Sequence, residues 1–273
     1  MKFSLNKLVI AAALVAPALS MASAGGAGMI DGRHDFATRA MFLTYQTTAG
    51  TQGVVNSVGL CSYCHTPHNA VSTSLLWNRA PAKQSFTWDE ATTTGGTNYA
   101  TIAPAYKGST VKCLSCHDGS VSVGDVAVYK ESSHLGDASS LNTYKVGDLD
   151  AAPKVSKKVG ASGSMAGSHP VGMPYPLGNA SSTYNNVTTG VDVVKTEFVG
   201  TPTPSAPLAN GVKLYKDTGT SIVAGTAAGA TGMECNTCHD VHNKSTNEDV
   251  MLRAKLAGST QADGYICLQC HIK

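Results

Sequence analysis

The chain carries the stretch CSYCHTPHNA at residues 61–70, and a related stretch, CNTCHDVHN, at residues 235–243. Two further stretches, CLSCH at 113–117 and CLQCH at 267–271, share the pattern Cys-x-x-Cys-His. All eight cysteines of the chain belong to these four motifs, and each second Cys is followed directly by His. The motif is therefore the feature around which the sequence is organised.

The spacing of the motif has a mechanical reason. One turn of chain presents two thiols to the two vinyl groups of a haem, while the adjacent His reaches the iron from the same side. The sequence therefore predicts four covalently bound c-type haems. The predicted attachment residues are Cys61, Cys64, Cys113, Cys116, Cys235, Cys238, Cys267 and Cys270, and the predicted proximal ligands are His65, His117, His239 and His271.

Three other uses of Cys-x-x-Cys pairs compete with this interpretation. Disulfides are common in exported proteins with even cysteine counts, and two tetrathiolate zinc sites would also use every cysteine. Neither gives a reason for the His after each pair. A thioredoxin-like redox pair needs one motif in a βαβ setting, whereas this chain has four motifs in glycine-rich surroundings.

The histidine count bears on the sixth ligand of each iron. Nine His occur, and the five that are not proximal are His34, His68, His134, His169 and His242. A second imidazole closes the iron and suits it to electron transfer, whereas a missing ligand leaves a site for a substrate. The supply of His favours closed haems. Methionines are the other candidates and are interpreted as gap-filling side chains: Met29, Met41, Met165, Met173, Met233 and Met251.

An internal repeat organises the four motifs into two diheme modules. The modules run from about 34 to 124 and from about 169 to 273, with a haem-free segment near 125–168 between them. Each has one upstream His, one Cys-x-x-Cys-His-x-x-His and one plain motif. An alignment without gaps brings residues 79–80 onto residues 253–254, which are Arg-Ala in both cases.

The repeat predicts which His serves which haem. If His242 of module two reaches back to the haem of His65, then His68 should reach the haem of His239 in a neighbouring subunit. Such a head-to-tail contact is heterologous and gives a ring or a filament. A monomer in which both His ligate within one chain is the alternative. By the same pattern His34 pairs with His117 and His169 with His271, which leaves His134 as the spare.

The N-terminus reads as a secretory signal peptide over residues 1–24. Lys2 and Lys7 precede an apolar stretch at 8–19, and Ala-Ser-Ala at 22–24 suits cleavage. No later stretch approaches the roughly 20 apolar residues of a membrane span, and no Cys lies near the cleavage point for lipid attachment. The mature chain, 25–273, is expected in the periplasm or outside the cell. A net charge of +2 does not favour nucleic acid as a partner.

The composition predicts a coil-rich fold. Charged residues make up 14% and aromatic residues 6% of the chain, so large side chains for a core are few. We expect short helices at the haem motifs, few short strands, and haems forming much of the core. The Gly/Ser/Thr-rich segment at 151–231 is expected to form either exposed loops or a partner surface. Asp118 and Asp240, next to proximal His residues, could hydrogen bond the ligating imidazoles, but such residues are more often solvated loop residues, which is how we interpret them.

Several strings in the sequence resemble a known family. HDF at 34–36, LWNR at 76–79, CLSCHDGS at 113–120 and HPVG at 169–172, with the stretch at 61–70, resemble the doubled Cys-x-x-Cys-His cytochromes of metal-reducing bacteria. Within that family the chain is similar to the outer-surface tetrahaem and hexahaem cytochromes that polymerise into extracellular filaments. The likeness covers nearly all of the mature chain except 151–231, where only the string at 169–172 matches.

The resemblance implies bis-His haems, a coil-rich fold and a His ligand donated across the subunit boundary. It favours His34, His68, His169 and His242 as distal ligands. The expected function is that of an electron carrier and not an enzyme, taking electrons from periplasmic or outer-membrane donors and passing them to extracellular acceptors. The expected location is the cell surface or an extracellular filament. The alternatives are a monomeric periplasmic shuttle and a multihaem reductase with one open haem.

Overall fold

The fold is described from a computed structural model. The structure describes residues 29, 34, 61, 64–66, 70, 74–78, 81–119, 159–190, 197–200, 202, 211–242, 251–256, 258, 260 and 262–272. All eight cysteines are included. The predicted signal peptide, most of the haem-free segment, Met41, His68 and His134 lie outside the described residues.

Three short α-helices carry three of the four motifs. They are α1 (Thr110–His117), α2 (Cys235–Cys238) and α3 (Ile266–Cys270). Helices α2 and α3 end at the motif His because His239 and His271 adopt extended backbone conformations. None of the helices formed by the described residues has the length and apolarity needed to cross a lipid bilayer.

Six short strands form two antiparallel sheets. They are β1 (Met173–Pro174), β2 (Thr183–Tyr184), β3 (Val187–Thr188), β4 (Tyr215–Asp217), β5 (Ile222–Ala224) and β6 (Thr231–Met233). The larger sheet has the order β1-β6-β4-β5, and β2 pairs with β3 in the smaller one. In the larger sheet Met173 pairs with Met233, and Tyr215 pairs with both Gly232 and Ala224. The last strand, β6, runs directly into the third haem motif.

The Gly/Ser/Thr-rich segment builds much of this core. Tyr175 and Tyr184 have no exposed surface, and Met165 and Met173 are almost fully buried. Parts of this segment are therefore buried core and not exposed loops, whereas others, such as 223–226, are exposed. The composition did not predict this core because small residues contribute to it by leaving space for large ones. Gly232 allows the Tyr184 ring to pack directly on strand β6, where a Cβ atom would clash.

Two small apolar clusters lie beside the motifs. The first joins Phe86, Ile102 and Leu114 to Tyr184 and Tyr215, so it combines side chains from both predicted modules. The second contains, among others, Tyr175, Leu214, Met233 and the motif residue Cys270. Because α1 contributes to the first cluster and α3 to the second, the apolar packing fixes the positions of the haem motifs.

Candidate haem sites

Each motif forms one helical turn closed by a backbone hydrogen bond. The amide of His65 donates to the carbonyl of Cys61 at 2.8 Å, and the amide of His271 donates to Cys267 at 2.8 Å. His239 and Cys235 make the same bond at 3.1 Å, and the second motif lies wholly within α1. One turn thus brings two sulfurs and an imidazole together in each case, as covalent haem attachment requires.

Three proximal His residues each face one of the predicted distal His residues. The ring centroids are 6.0 Å apart for His34 and His117, 6.3 Å for His65 and His242, and 6.3 Å for His169 and His271. These are the three pairs that the internal repeat indicates within one chain. Each pair brings together residues that are distant in sequence.

The spacing of these pairs fits a metal held between two imidazoles. First-row metals bind imidazole nitrogen at about 2.0 Å, so two rings on opposite sides of one metal have centroids roughly 6 Å apart. Rings in direct stacking contact lie closer, and rings in unrelated positions have no reason to share one separation. The three His pairs therefore fit bis-imidazole haem iron.

Hydrogen bonds at two of the pairs leave the iron-binding nitrogen available. His65 donates its Nδ1–H to the carbonyl of Leu75 at 2.6 Å, and Nδ1 of His169 lies 3.1 Å from the carbonyl of Pro170. A donor proton on Nδ1 makes Nε2 the unprotonated nitrogen. Burial first, and then the positive charge of the nearby His239 ring, lower the pKa of His117. Its imidazole is thus neutral at pH 7, which is the form that ligates a metal.

An open cleft lies at the fourth motif. Both His169 and His271 line it, together with Met173, Met233 and Phe198. The Phe198 ring is 4.8 Å from the His271 ring and also contacts Tyr175 edge to face at 5.6 Å. A flat apolar group between two imidazoles is what a haem would present to these walls, so this cleft fits the fourth haem.

Trp77 contributes an unused hydrogen-bond donor at the first motif. Its ring meets the His65 ring edge-on, with centroids 5.7 Å apart. The indole Nε1 is buried and has no hydrogen-bond partner in the described part of the chain. A buried polar group normally has a partner, and a haem propionate beside His65 would supply an acceptor. The sequence did not predict this buried indole donor, because Trp77 stands out there only as part of the string LWNR at 76–79.

The third motif lies between the other three. The Cys235 amide donates to the Thr110 hydroxyl at 3.2 Å, so the third motif meets the helix that carries the second. Cys270 packs in the same apolar cluster as Met233, which lies two residues before the third motif, so the third and fourth motifs are neighbours. His242, three residues beyond the third motif, faces the first. The four motifs thus form one connected group.

Equivalent backbone hydrogen bonds in the two modules show the internal repeat, and they shift the alignment of the two modules by one residue. In module one the amide of Asn78 donates to the carbonyl of Cys64 at 2.9 Å, and in module two Arg253 donates to Cys238 at 2.7 Å. Leu76 and Met251, two residues earlier in each case, both have left-handed backbone conformations. Asn78 is therefore the counterpart of Arg253. The alignment without gaps, which set residue 79 over residue 253, was wrong by one position.

Both acidic residues beside the proximal His residues are buried. Asp118 is 4% exposed and accepts a hydrogen bond from Gln84 at 3.0 Å. Asp240 is 6% exposed and forms an ion pair with Arg253 at 3.5 Å. Their interpretation as solvated loop residues was wrong. Local sequence did not reveal this because the partners lie far along the chain for Asp118 and across a loop for Asp240.

Among the described residues, which include every cysteine, no disulfide is formed. No three His, Cys, Asp or Glu side chains in the same set of residues converge as metal ligands.

The sequence matches no protein-family model and has no significant match among curated proteins.

Proposed function

We propose that this chain is a tetrahaem electron carrier. The observation that carries the proposal is the set of three His pairs at 6.0 to 6.3 Å, each containing the His of a Cys-x-x-Cys-His motif. When bound, each haem supplies a ferrous/ferric couple. The protein's own contribution is to hold the imidazoles, to exclude water with the two apolar clusters, and to keep the four sites adjacent.

Two imidazoles on each iron favour electron transfer over catalysis. A six-coordinate iron has no position for a substrate, and a reductase would need an open iron with nearby proton donors. The fixed Nδ1 hydrogen bonds of His65 and His169 support ligands that stay in place. A multihaem reductase with one open haem is the less favoured alternative.

We further propose that the chain assembles head to tail into an extracellular filament. His242 faces His65, a residue of the other module. His68 is the counterpart of His242 in module one, so the same reach would carry it to the His239 site of a neighbouring subunit. The filament would take electrons from periplasmic or outer-membrane donors and pass them to external acceptors. A monomeric periplasmic shuttle with the same haems is the alternative.

Haem loading is tested by the intact mass of the exported protein. We expect the mature chain plus four haems, and a protein with Cys113 and Cys116 both changed to Ala should carry three. Denaturing gels stained for haem peroxidase activity verify that attachment is covalent. A mature chain with the mass of unmodified protein would contradict the proposal.

Assembly is tested by the substitution His68→Ala, with His134→Ala as the matched control. Electron microscopy of material sheared from the cell surface should show filaments for the wild type and for the control. The His68 variant should remain as single haem-loaded subunits, because its ligand for the neighbour is lost. Filaments in both variants, with unchanged spectra, would leave the shuttle as the better account.

A further inference from the structure

Glu234 is a fully buried carboxylate at the start of the third motif. It has no exposed surface and directly precedes Cys235. It is the N-cap of α2, where it forms a capping box with Thr237. Its side chain then reaches the first turn of α1, so a single acid spans the junction of the second and third motifs.

Four donors surround the two carboxylate oxygens. The Tyr106 hydroxyl donates to Oε1 in a short hydrogen bond, and the Tyr184 hydroxyl donates to the same oxygen at 2.7 Å. The Thr110 amide donates to Oε2 at 2.7 Å, and the Thr237 amide donates to the Glu234 side chain in the capping box. An ionised carboxylate accepts from all four, since it is an acceptor only.

The hydrogen-bond donors are neutral, so they solvate the charge without cancelling it, and the Lys112 ammonium lies near enough to interact with the carboxylate. Burial first, and then the Glu234 carboxylate, raise the pKa of both Tyr106 and Tyr184 far above the ordinary value. Both phenols therefore remain protonated. The nearby Arg253 is paired with Asp240. A buried charge held by dipoles in this way acts on its surroundings at low effective dielectric.

The surroundings of Glu234 are two haem attachment sites. The Cys235 amide donates to the Thr110 hydroxyl at 3.2 Å, and the Ser109 hydroxyl donates to Asn236 at 2.6 Å. These bonds join the N-termini of α1 and α2, the helices that carry Cys113 and Cys235. The carboxylate is thus next to the sulfur-bearing edges of both sites and belongs to neither ligand set.

We infer that Glu234 lowers the reduction potentials of the second and third haems relative to the other two. Ferric haem carries one more positive charge than ferrous haem, so a nearby buried anion stabilises the oxidised form. The inference rests on the proposed haem loading. Glu234 acts through the field of its carboxylate and is a tuning residue, touching neither iron nor a substrate.

The test is Glu234→Gln, with Glu90→Gln as the matched control at an exposed position. Glutamine removes the charge and keeps the shape, because its carbonyl can accept from Thr110 while its amide donates to the tyrosine hydroxyls. Spectroelectrochemical titration should show two of the four haems shifted to higher potential. The other two, and all four in the control, should titrate as in the wild type.

Tyr184→Phe provides a second measurement with the opposite expected sign. It removes one donor and leaves the Glu234 charge less solvated, so the same two haems should shift to lower potential. If Glu234→Gln does not accumulate, the direction of this shift decides the inference. A purely structural role predicts no such reversal between the two variants.

The inference is overturned if a Glu234→Gln protein with four haems by mass titrates like the wild type, or if all four potentials move equally. It is also overturned if Tyr184→Phe leaves the potentials unchanged. Loss of haem from the wild-type protein is a different result, seen in the mass spectrum before any titration, and it would overturn the proposed function instead.

Discussion

His65 and His242 lie with their ring planes 27° apart, although they come from opposite halves of the chain. The other two His pairs are nearly perpendicular, at 65° for His34 and His117 and 70° for His169 and His271. The two perpendicular pairs occupy equivalent positions in the two modules. The orientation of the paired imidazoles therefore follows the internal repeat and divides the three pairs into two kinds.

Electron paramagnetic resonance of the oxidised protein should resolve these two kinds of site. Near-parallel imidazoles give a rhombic low-spin ferric signal, whereas near-perpendicular imidazoles give a signal with one very large g value. Changing His242 to Ala should remove rhombic intensity and produce a high-spin ferric signal, because one ligand of the His65 site is lost.

His134→Ala is the control for this spectrum and should leave it unchanged. A single low-spin species in the wild-type protein would contradict the assigned ring orientations. Rhombic intensity that is undiminished without His242 would contradict its role as the ligand opposite His65.

Changing Trp77 to Phe should lower the potential of one haem. The substitution keeps an aromatic ring beside His65 and removes the buried indole donor, which leaves a propionate with more of its negative charge uncompensated. Redox titration of the four-haem protein measures the shift, and resonance Raman bands of the propionates report the lost hydrogen bond.

The chain supplies a matched control in Trp88, which already donates to the Ala100 carbonyl at 3.1 Å. Trp88→Phe should leave all four potentials in place, even though its stacking on Tyr99 makes some loss of stability expected. Identical titrations for the two tryptophan variants would show that the Trp77 donor does not bind a haem.

Changing Gly232 to Ala should destabilise the fold by about 1–3 kcal/mol, the usual cost of overpacking a core. The new Cβ would meet the Tyr184 ring at a buried strand position, and neither the strand nor the ring can move without disturbing Glu234. Thermal unfolding followed by Soret absorbance and far-ultraviolet circular dichroism measures the loss.

Thr226→Ala, at an exposed position in the same region, should change the free energy of unfolding by no more than about 0.5 kcal/mol. Equal stabilities for the Gly232 and Thr226 variants would mean that Tyr184 does not pack on β6 as described.

Without haem attachment the chain should not fold stably. The two apolar clusters are small, and ordering each residue costs roughly 1–2 kcal/mol of backbone entropy. A chain expressed without its first 24 residues, in cells that do not attach haem, should lack a cooperative thermal transition by circular dichroism. A cooperative transition in that preparation would show that side chains alone suffice for the fold.

Local chemistry explains why so much of the proposed site was predicted from the sequence. A Cys-x-x-Cys-His motif is a single turn, so the neighbours that define it are neighbours in the chain, as the Cys61–His65 turn shows. The pairing of His34, His169 and His242 followed from the repeat, because duplicated modules preserve the offset between a ligand and its site. His68 remains a prediction, since it lies outside the described residues.

The tertiary structure alone decided what depends on residues distant in sequence. No local pattern shows that Glu234 is buried under Tyr106 and Tyr184, or that Asp118 is covered by Gln84, because burial depends on which segments pack together. The burial of residues in the glycine-rich segment at 151–231 was not predicted for the same reason. Its Tyr175 and Tyr184 become core residues only when strands from 173 to 233 pair, and short strands gain their stability from that pairing rather than from local propensity.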